Sequence, residues 1–372
     1  MQDYLKNLIK TLVLVQWKHF IDFVITVNIF FKKCMALINI FERNPRLFYG
    51  GAISGNYGGP RVKVSQLKEI FHQNLLNFNL VYVLSNYSYL SENSLRKIRK
   101  AQVPIVLNQN GVFTDGWYGK GWEKRNIPNL IAYEFCDYVF WQSEFAKLTS
   151  EKFLSDKSKL GEILYNAVNL ERYYPKKKVN SSEFIFLVAG NFNSYSSYYQ
   201  IEATLMALAV LKKDLHIKVR FAGLSSLMEK ATVERAVSLN IHEQVEIFGR
   251  YSQQKWPESI READAYIALK YQDTCPNLVL EAMASGLPVL YSSSGGTPEL
   301  VNEHSGIGLE AKGDWSTKPF APKTSEIADA MLVMIENIES MSQAARSRAE
   351  DKFDLRFWFK RHIEVFDSLL RK

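Results

Sequence analysis

Along this chain of 372 residues, apolar positions gather into short continuous runs set between longer stretches of helical spacing. Arg46–Tyr49, Leu80–Leu84, Ile105–Asn108, Tyr138–Trp141 and Ile163–Tyr165 read as buried strands. A second series repeats the pattern at Phe184–Ala189, Val219–Ala222, Val245–Phe248, Ala265–Leu269 and Val289–Tyr291. Apolar strands alternating with helices predict α/β architecture, with parallel, doubly wound sheets covered on both faces. Two such series predict two domains, each with its own core. Between them Arg172–Ser182, with Pro175, three lysines and two serines, reads as a linker. The first domain then covers 46–171 and the second 183–352. A terminal helix over 353–372 follows, with Phe353, Phe357, Phe359, Ile363 and Phe366 available to cross back to the first domain.

Residues 1–45 precede the first strand and form a helical extension. Leu5, Leu8, Ile9 and Leu12 share one helical face, with Lys6, Asn7, Lys10 and Thr11 opposite, which makes a short basic amphipathic helix. An aromatic-rich run, Phe20–Phe31, follows between Lys18 and Lys32-Lys33. Asp22 and Asn28 interrupt it, and the run falls short of the roughly 20 apolar residues a membrane span needs. It also lacks the small-residue cleavage site of a signal peptide. Two readings stand: a helix at a membrane interface, or extra helices packed on the first domain. The cationic face and the aromatic content favour the first.

Composition adds limits. Hydrophobic residues at 47% and charged residues at 23% are ordinary for a globular protein. Cys34, Cys136 and Cys275 are odd in number and lack metal-ligand spacing, so no disulfide framework or zinc site is expected, and a reducing cytoplasm is the simplest setting. A net charge of +7 points to anionic partners. Nucleotide sugars and anionic lipid headgroups qualify. Nucleic acid is set aside, because no basic stripe with interleaved aromatics runs through the folded part.

The segment Tyr271–Leu300, YQDTCPNLVLEAMASGLPVLYSSSGGTPEL, carries the most chemistry. Cys275-Pro276-Asn277 reads as a loop ending at a helix start, with Asn277 as N-cap and Leu278–Ala284 as the helix. Gly286 suits the left-handed C-cap position, and Pro288 stops the helix continuing. Such a turn offers unpaired N–H groups and the positive end of the helix dipole to a phosphate. Asp273 and Glu281 flank that start and would repel a phosphate, so sugar hydroxyls are their expected targets. With Asn277 as cap, Leu280 takes the third helical position, so Glu281 is not a capping-box residue.

Two further loops draw attention. Gly55-Asn56-Tyr57-Gly58-Gly59-Pro60 opens a helix, with Pro60 at its first position and glycines that let backbone approach a ligand. It is not the dinucleotide fingerprint, which needs different spacing and an acidic residue ending the second strand. The stretch VLNQNGVFTDGWYGKGWEKRN lies beyond the carboxyl end of a strand, where α/β sheets bind ligands. Asn108, Asn110, Asp115, Trp117 and Trp122 are therefore acceptor-site candidates, since amides and aromatic faces suit sugars.

Residues 271–300 resemble the donor-binding signature of retaining GT-B glycosyltransferases, of the glycosyltransferase family 4 or glycosyl transferases group 1 type. That family carries a Glu, seven residues, a second Glu, an Ala-x-Gly-x-Pro-Val run and a Gly-Gly-x-x-Glu turn. Here these are Asp273, Glu281, Ala284–Val289 and Gly295–Glu299. Trp141–Lys147 and Ile163–Asn169 are similar to the family's end-of-domain signatures. The resemblance implies the GT-B fold: two Rossmann-like doubly wound domains facing a cleft, here with the helical extension added. It implies transfer of a hexosyl-type sugar, with retention, from a nucleotide sugar to a carbohydrate or lipid-linked acceptor in cell-envelope polysaccharide or glycolipid synthesis. The enzyme would then sit peripherally on the cytoplasmic membrane face.

In that scheme Glu281 accepts the ribose hydroxyls and Asp273 holds hydroxyls of the donor sugar. Asn110 stands in for the His that many members place beside the transferring sugar. Gly58, Gly59, Cys275, Pro276, Asn277, Gly295, Gly296, Thr297 and Glu299 contact the donor. Many members carry Gly-Arg and a later Lys after the first strand of the second domain. This chain has Gly190-Asn191-Phe192-Asn193-Ser194-Tyr195, which leaves Arg250 and Lys270 as replacements. There is no Asp-x-Asp motif, so neither a metal nor a cofactor is expected. Two alternatives are a sugar-nucleotide epimerase of the same fold and a non-catalytic nucleotide-sugar-binding subunit of a glycan-assembly complex. Few histidines count against the first, and both carboxylates count against the second.

Overall fold

The structure, a computed structural model, describes residues 2–37, 44–55, 59–87, 89–157, 159–176, 183–211, 216–252, 254–311, 315–316, 318–319 and 321–371, with the side chains of 2–9 and 33–37 outside that description. Gly58 of the glycine-rich loop and linker residues 177–182 therefore lie outside the described residues. The chain forms two compact units. The first gathers residues 1–113, 121–164 and 359–372, and the second gathers 114–120 and 165–358.

The first unit contains α1 (Gln2–Leu37), β1 (Leu47–Phe48), α2 (Gly59–Ile70), β2 (Leu80–Leu84), α3 (Glu92–Lys100) and β3 (Ile105–Gln109). After α4 (Asp115–Tyr118), which belongs to the second unit, come α5 (Trp122–Phe135), β4 (Tyr138–Trp141), α6 (Glu144–Phe153) and β5 (Gly161–Ile163). The strands are parallel in the order β1-β2-β3-β4-β5. A parallel bridge from Leu47 to Gln73 extends the sheet on the far side of β1. The chain thus winds outward one way after β1 and the other way from β2, the reversal of a doubly wound sheet. Period-two alternation sends Val81, Val83, Ile105, Leu107, Val139 and Trp141 into one core, shared with α1, α3 and α5. On the opposite face Tyr82 bonds His362 Nε2 at 2.9 Å, and Phe71 packs edge-on against Phe366 at 5.0 Å.

Two expectations change here. The N-terminal region is one continuous helix of 36 residues. Its Ile21, Val24, Ile25 and Asn28 are buried in the first unit, and Trp17 Nε1 donates to the Gly51 carbonyl at 3.2 Å. Part of the extension therefore belongs to a core. The expected strand at Ile163–Tyr165 instead starts at Gly161, whose partner is Val139. A Cβ at Gly161 would overlap the Val139 carbonyl oxygen, so the closest approach of the two strands needs this glycine.

The second unit adds β6 (Phe184–Phe192), α7 (Tyr198–Val210), β7 (Ile217–Leu224), α8 (Ser226–Ser238), β8 (Val245–Phe248), α9 (Trp256–Ile260) and β9 (Ala265–Ala268). It continues through α10 (Asn277–Ala284), β10 (Val289–Ser292), α11 (Thr297–Leu300), β11 (Gly306–Leu309), α12 (Thr324–Glu336) and α13 (Ile338–Lys352) to α14 (Leu355–Leu370), whose residues from Phe359 count with the first unit. All strands are parallel, in the order β11-β10-β9-β6-β7-β8. The reversal falls between β6 and β9. Strand β6 runs beyond the expected end at Ala189 to Phe192, with a shift of register after Ala189. Gly223, at φ +86°, packs so tightly on the Gly190 carbonyl that any Cβ there would overlap it. Phe186 and Val188 face a core with α7, α8 and α12, while Leu187 and Tyr266 face the other with α9, α10 and α13.

Candidate active site

In doubly wound sheets the strand ends diverge at the reversal, and ligands bind in the gap beyond their carboxyl ends. In the second unit those strands are β6 and β9. A cavity of about 190 Å³ opens there, lined by Gly190, Asn191, Phe192, Lys270, Asp273 and Thr297 together with the first turn of α10. Lys270 is the one Lys or Arg in that lining, and its Nζ lies 2.8 Å from Asp273 Oδ2. Arg250, the other expected replacement cation, is exposed and outside the lining.

The loop between β9 and α10 is tightly tied. Gln272 adopts φ +53° and donates its N–H to Ser294 Oγ at 2.9 Å. The Gly296 N–H donates to the Asp273 carbonyl at 2.8 Å. Gly295, at φ +68°, lies against the same carbonyl, where a Cβ would overlap it. Its glycine is required both by conformation and by contact. Asn166 fixes the other end: its Nδ2 donates to the Cys275 carbonyl at 2.9 Å and to Asn277 Oδ1 at 2.8 Å. This changes the expected cap. Pro276 occupies the N-cap position, Asn277 is the first helical residue, and its side chain is held by Asn166 instead of capping the helix. Gly286 does adopt the left-handed conformation, φ +78°. Glu299 accepts from the Tyr165 hydroxyl at 3.2 Å, and Arg348 donates to its carbonyl at 2.8 Å.

Glu281 projects from the middle of α10 into a dense aromatic setting. Trp256 Nε1 donates to its Oε2 at 2.7 Å, and the Tyr173 hydroxyl adds a second bond. Tyr251 stacks on Trp256 with ring centroids 4.1 Å apart and an angle of 24°. Burial pushes the Glu281 carboxyl up to about 7, against the opposing pull of the Trp256 and Tyr173 bonds and of Arg172. The Tyr251 and Tyr173 hydroxyls are raised first by burial and then by the Glu281 charge. A carboxylate held by preset donors and poised near neutrality is the arrangement expected of a ligand-binding acid.

The acceptor candidates divide between the two units. Asn108 is 1% exposed, and its Oδ1 accepts from Lys63 Nζ and Gln142 Nε2, both at 2.7 Å. Its Oδ1 thus ties α2 and the residue after β4 to the end of β3. Asn110 is half-buried, with its N–H on Ser85 Oγ at 2.8 Å and its Oδ1 on the Gly111 N–H at 2.9 Å. Trp122 packs edge-on against Phe153 at 5.4 Å. Asp115 and Trp117 are exposed on α4, in the second unit, where Gly116 donates to the Trp315 carbonyl at 2.8 Å. Gly59 opens α2 in the first unit.

Sequence reasoning missed Lys63, Asn166, Tyr173, Tyr251 and Trp256. Each acts on a residue 25 or more positions away or through a ring contact, and no local spacing signals that. Asn166 alone had a signal, its place in the end-of-domain motif.

Residues 171–346 match the protein-family model described as Glycosyl transferases group 1. No curated protein sequence matches the chain. Among solved structures, sucrose-phosphate synthase from Thermosynechococcus elongatus is similar at a TM-score of 0.63 and 16% identity, over 84% of this chain and 77% of that one. A glycosyltransferase from Rickettsia africae gives 0.61 and 16%, over 86% and 84%. Anabaena HepE, solved with UDP and glucose, gives 0.60 and 15%, over 78% of each chain. At these identities the likeness shows a common fold, and that fold is GT-B. The chain thus has the GT-B fold, and its residues 171–346 match the glycosyl transferases group 1 model on that fold.

Proposed function

We propose that the chain moves a hexosyl-type sugar from a nucleotide sugar to a carbohydrate or lipid-linked acceptor, with retention at the anomeric carbon, in cell-envelope polysaccharide or glycolipid synthesis. The observation that carries this reading is Glu281, held by Trp256 and Tyr173 inside the group 1 domain, with Asp273 lining the cavity beside it in sequence. Glu281 accepts the ribose hydroxyls, and Asp273, steered by Lys270, accepts hydroxyls of the donor sugar. The N–H groups at the start of α10 and Lys270 stabilise charge on the departing diphosphate, an electrostatic contribution preset by the fold. No metal is assigned a role. Among the described residues no three His, Cys, Asp or Glu side chains cluster as a ligand set. Asn110 is the candidate beside the transferring sugar.

HepE was solved with UDP-glucose, so UDP-sugars are the first donors to test. Calorimetric titration of UDP-, GDP- and ADP-sugars, followed by NMR of the released or transferred sugar, checks donor and stereochemistry together. Binding with turnover and an α-to-α or β-to-β product supports the proposal. An inverted product removes retention. The absence of the usual cations from Gly190–Tyr195 favours a second reading, a nucleotide-sugar-binding subunit without turnover. Tight binding with no hydrolysis or transfer would establish it.

A further inference from the structure

Helix α1 presents three different sides. One is buried in the first unit through Ile21, Val24, Ile25 and Asn28, with Asn28 Nδ2 on the Phe78 carbonyl at 3.4 Å. A second carries Phe20, Phe23, Phe30 and Phe31, which recur at helical spacing within a sector about 100° wide. Phe23 and Phe30 are each 65% exposed, and Phe20 and Phe31 are each 45% exposed. Lys18, His19, Asp22 and Thr26 lie between these two sides. Towards the N-terminus Leu12, Val13, Leu14 and Val15 are exposed at consecutive positions, so the helix is apolar all round there. Soluble surfaces rarely leave so many large apolar side chains together in water.

We propose that α1 is an in-plane membrane anchor, which lays its phenylalanine side and its Leu12–Val15 segment into the headgroup boundary of an anionic bilayer without crossing it. By length and composition Lys10–Lys32 suffices to cross a membrane. Crossing, however, would pull Ile21, Val24, Ile25 and Asn28 out of the first-unit core and break the Trp17 and Lys32 bonds to Gly51 and Ala101. A second copy of the chain would cover one side of a helix, whereas Leu12–Val15 needs apolar surroundings on every side, which lipid supplies. Charge selects the bilayer's sign. Lys10 and Lys18 are exposed on α1, the neighbouring α3 exposes Arg99 and Lys100, and the chain carries +7. Exposed cations beside an inserted apolar face add attraction to anionic lipid that salt screens. The inference does not depend on the donor chemistry proposed above.

The test uses the full chain and flotation with phosphatidylcholine vesicles, with and without phosphatidylglycerol. Binding to the anionic vesicles is expected, weakening as salt rises. Phe23→Ser combined with Phe30→Ser should lower partitioning at least about tenfold, while circular dichroism and nucleotide-sugar binding stay unchanged, since both side chains are exposed. A fluorophore at Leu12→Cys or Phe30→Cys, in a Cys34→Ser background, should be quenched alike by shallow quencher lipids from the outer leaflet. No binding by the parent chain would overturn the proposal. So would binding undiminished in the double variant, or a label at one end protected on the far side of the bilayer. A lipid-free dimer that the double variant dissociates would overturn it in favour of self-association.

Discussion

Replacing Glu281 with Gln separates what this residue does for binding from what it costs the fold. Its carboxyl is shifted from 4.5 to about 7 because burial disfavours the ion. Between those two pH values the folded chain keeps a proton that the unfolded chain has released. Stability therefore falls as pH rises through that window and levels off above it. At about 1.4 kcal/mol for each tenfold change in proton affinity, the ionised group destabilises the fold by roughly 3 kcal/mol at pH 8. Gln carries no charge yet still accepts from Trp256 Nε1, so Glu281→Gln should recover about 2–3 kcal/mol at pH 8 and almost nothing near pH 4.5. Chemical denaturation at the two pH values, followed by tryptophan fluorescence, measures the difference. The same substitution should weaken nucleotide-sugar binding by about 1–3 kcal/mol, because charge-assisted bonds to ribose hydroxyls are lost. Stability and affinity then move in opposite directions. Equal destabilisation at both pH values would mean the carboxylate is a structural bond, and the burial argument would be refuted.

Asp273→Asn should lower turnover more than affinity for the free nucleotide, since Asp273 is assigned to the sugar; equal losses for nucleotide and nucleotide sugar would refute that division. Activity should survive EDTA, and complete loss rescued by Mn²⁺ would overturn the electrostatic assignment. Gly295→Ala, at φ +68° and against the Asp273 carbonyl, should cost about 1–3 kcal/mol of stability and weaken donor binding, measured by denaturation and calorimetry together. Deleting residues 1–16 should leave a folded chain that no longer floats with vesicles. Deleting residues 1–33 removes Ile21, Val24 and Ile25 from the first-unit core and should unfold or aggregate it; a stable, monomeric product of that deletion would show that the stripe adds little.

What the sequence by itself determined is whatever follows from spacing and local backbone chemistry. Apolar runs such as Leu80–Leu84 and Tyr138–Trp141 have strand length and no polar alternation, so they place two parallel sheets without any knowledge of contacts. Gly286 and Pro288 end α10 because only glycine suits φ +78° at low cost and proline cannot continue a helix. The Gly295-Gly296 turn and the places of Asp273 in the loop before α10 and of Glu281 on it were legible because their spacing is itself a pattern.

The tertiary structure alone decided what those residues touch. Trp256 and Tyr173 reach Glu281 across 25 and 108 positions, and the burial of Glu281 itself, against the pull of their bonds, moves its proton affinity towards neutrality. Nothing in the spacing showed that Asn108 Oδ1 accepts from Lys63 and Gln142, residues 45 and 34 positions away, on the face of β3 to which alternation sends its side chain. Helix α1 has an amphipathic pattern that reads equally as membrane-facing or core-facing. The split between its buried stripe and its exposed phenylalanines exists only once the first unit has formed against it. Periodicity says that a face is apolar, and only packing says what covers it.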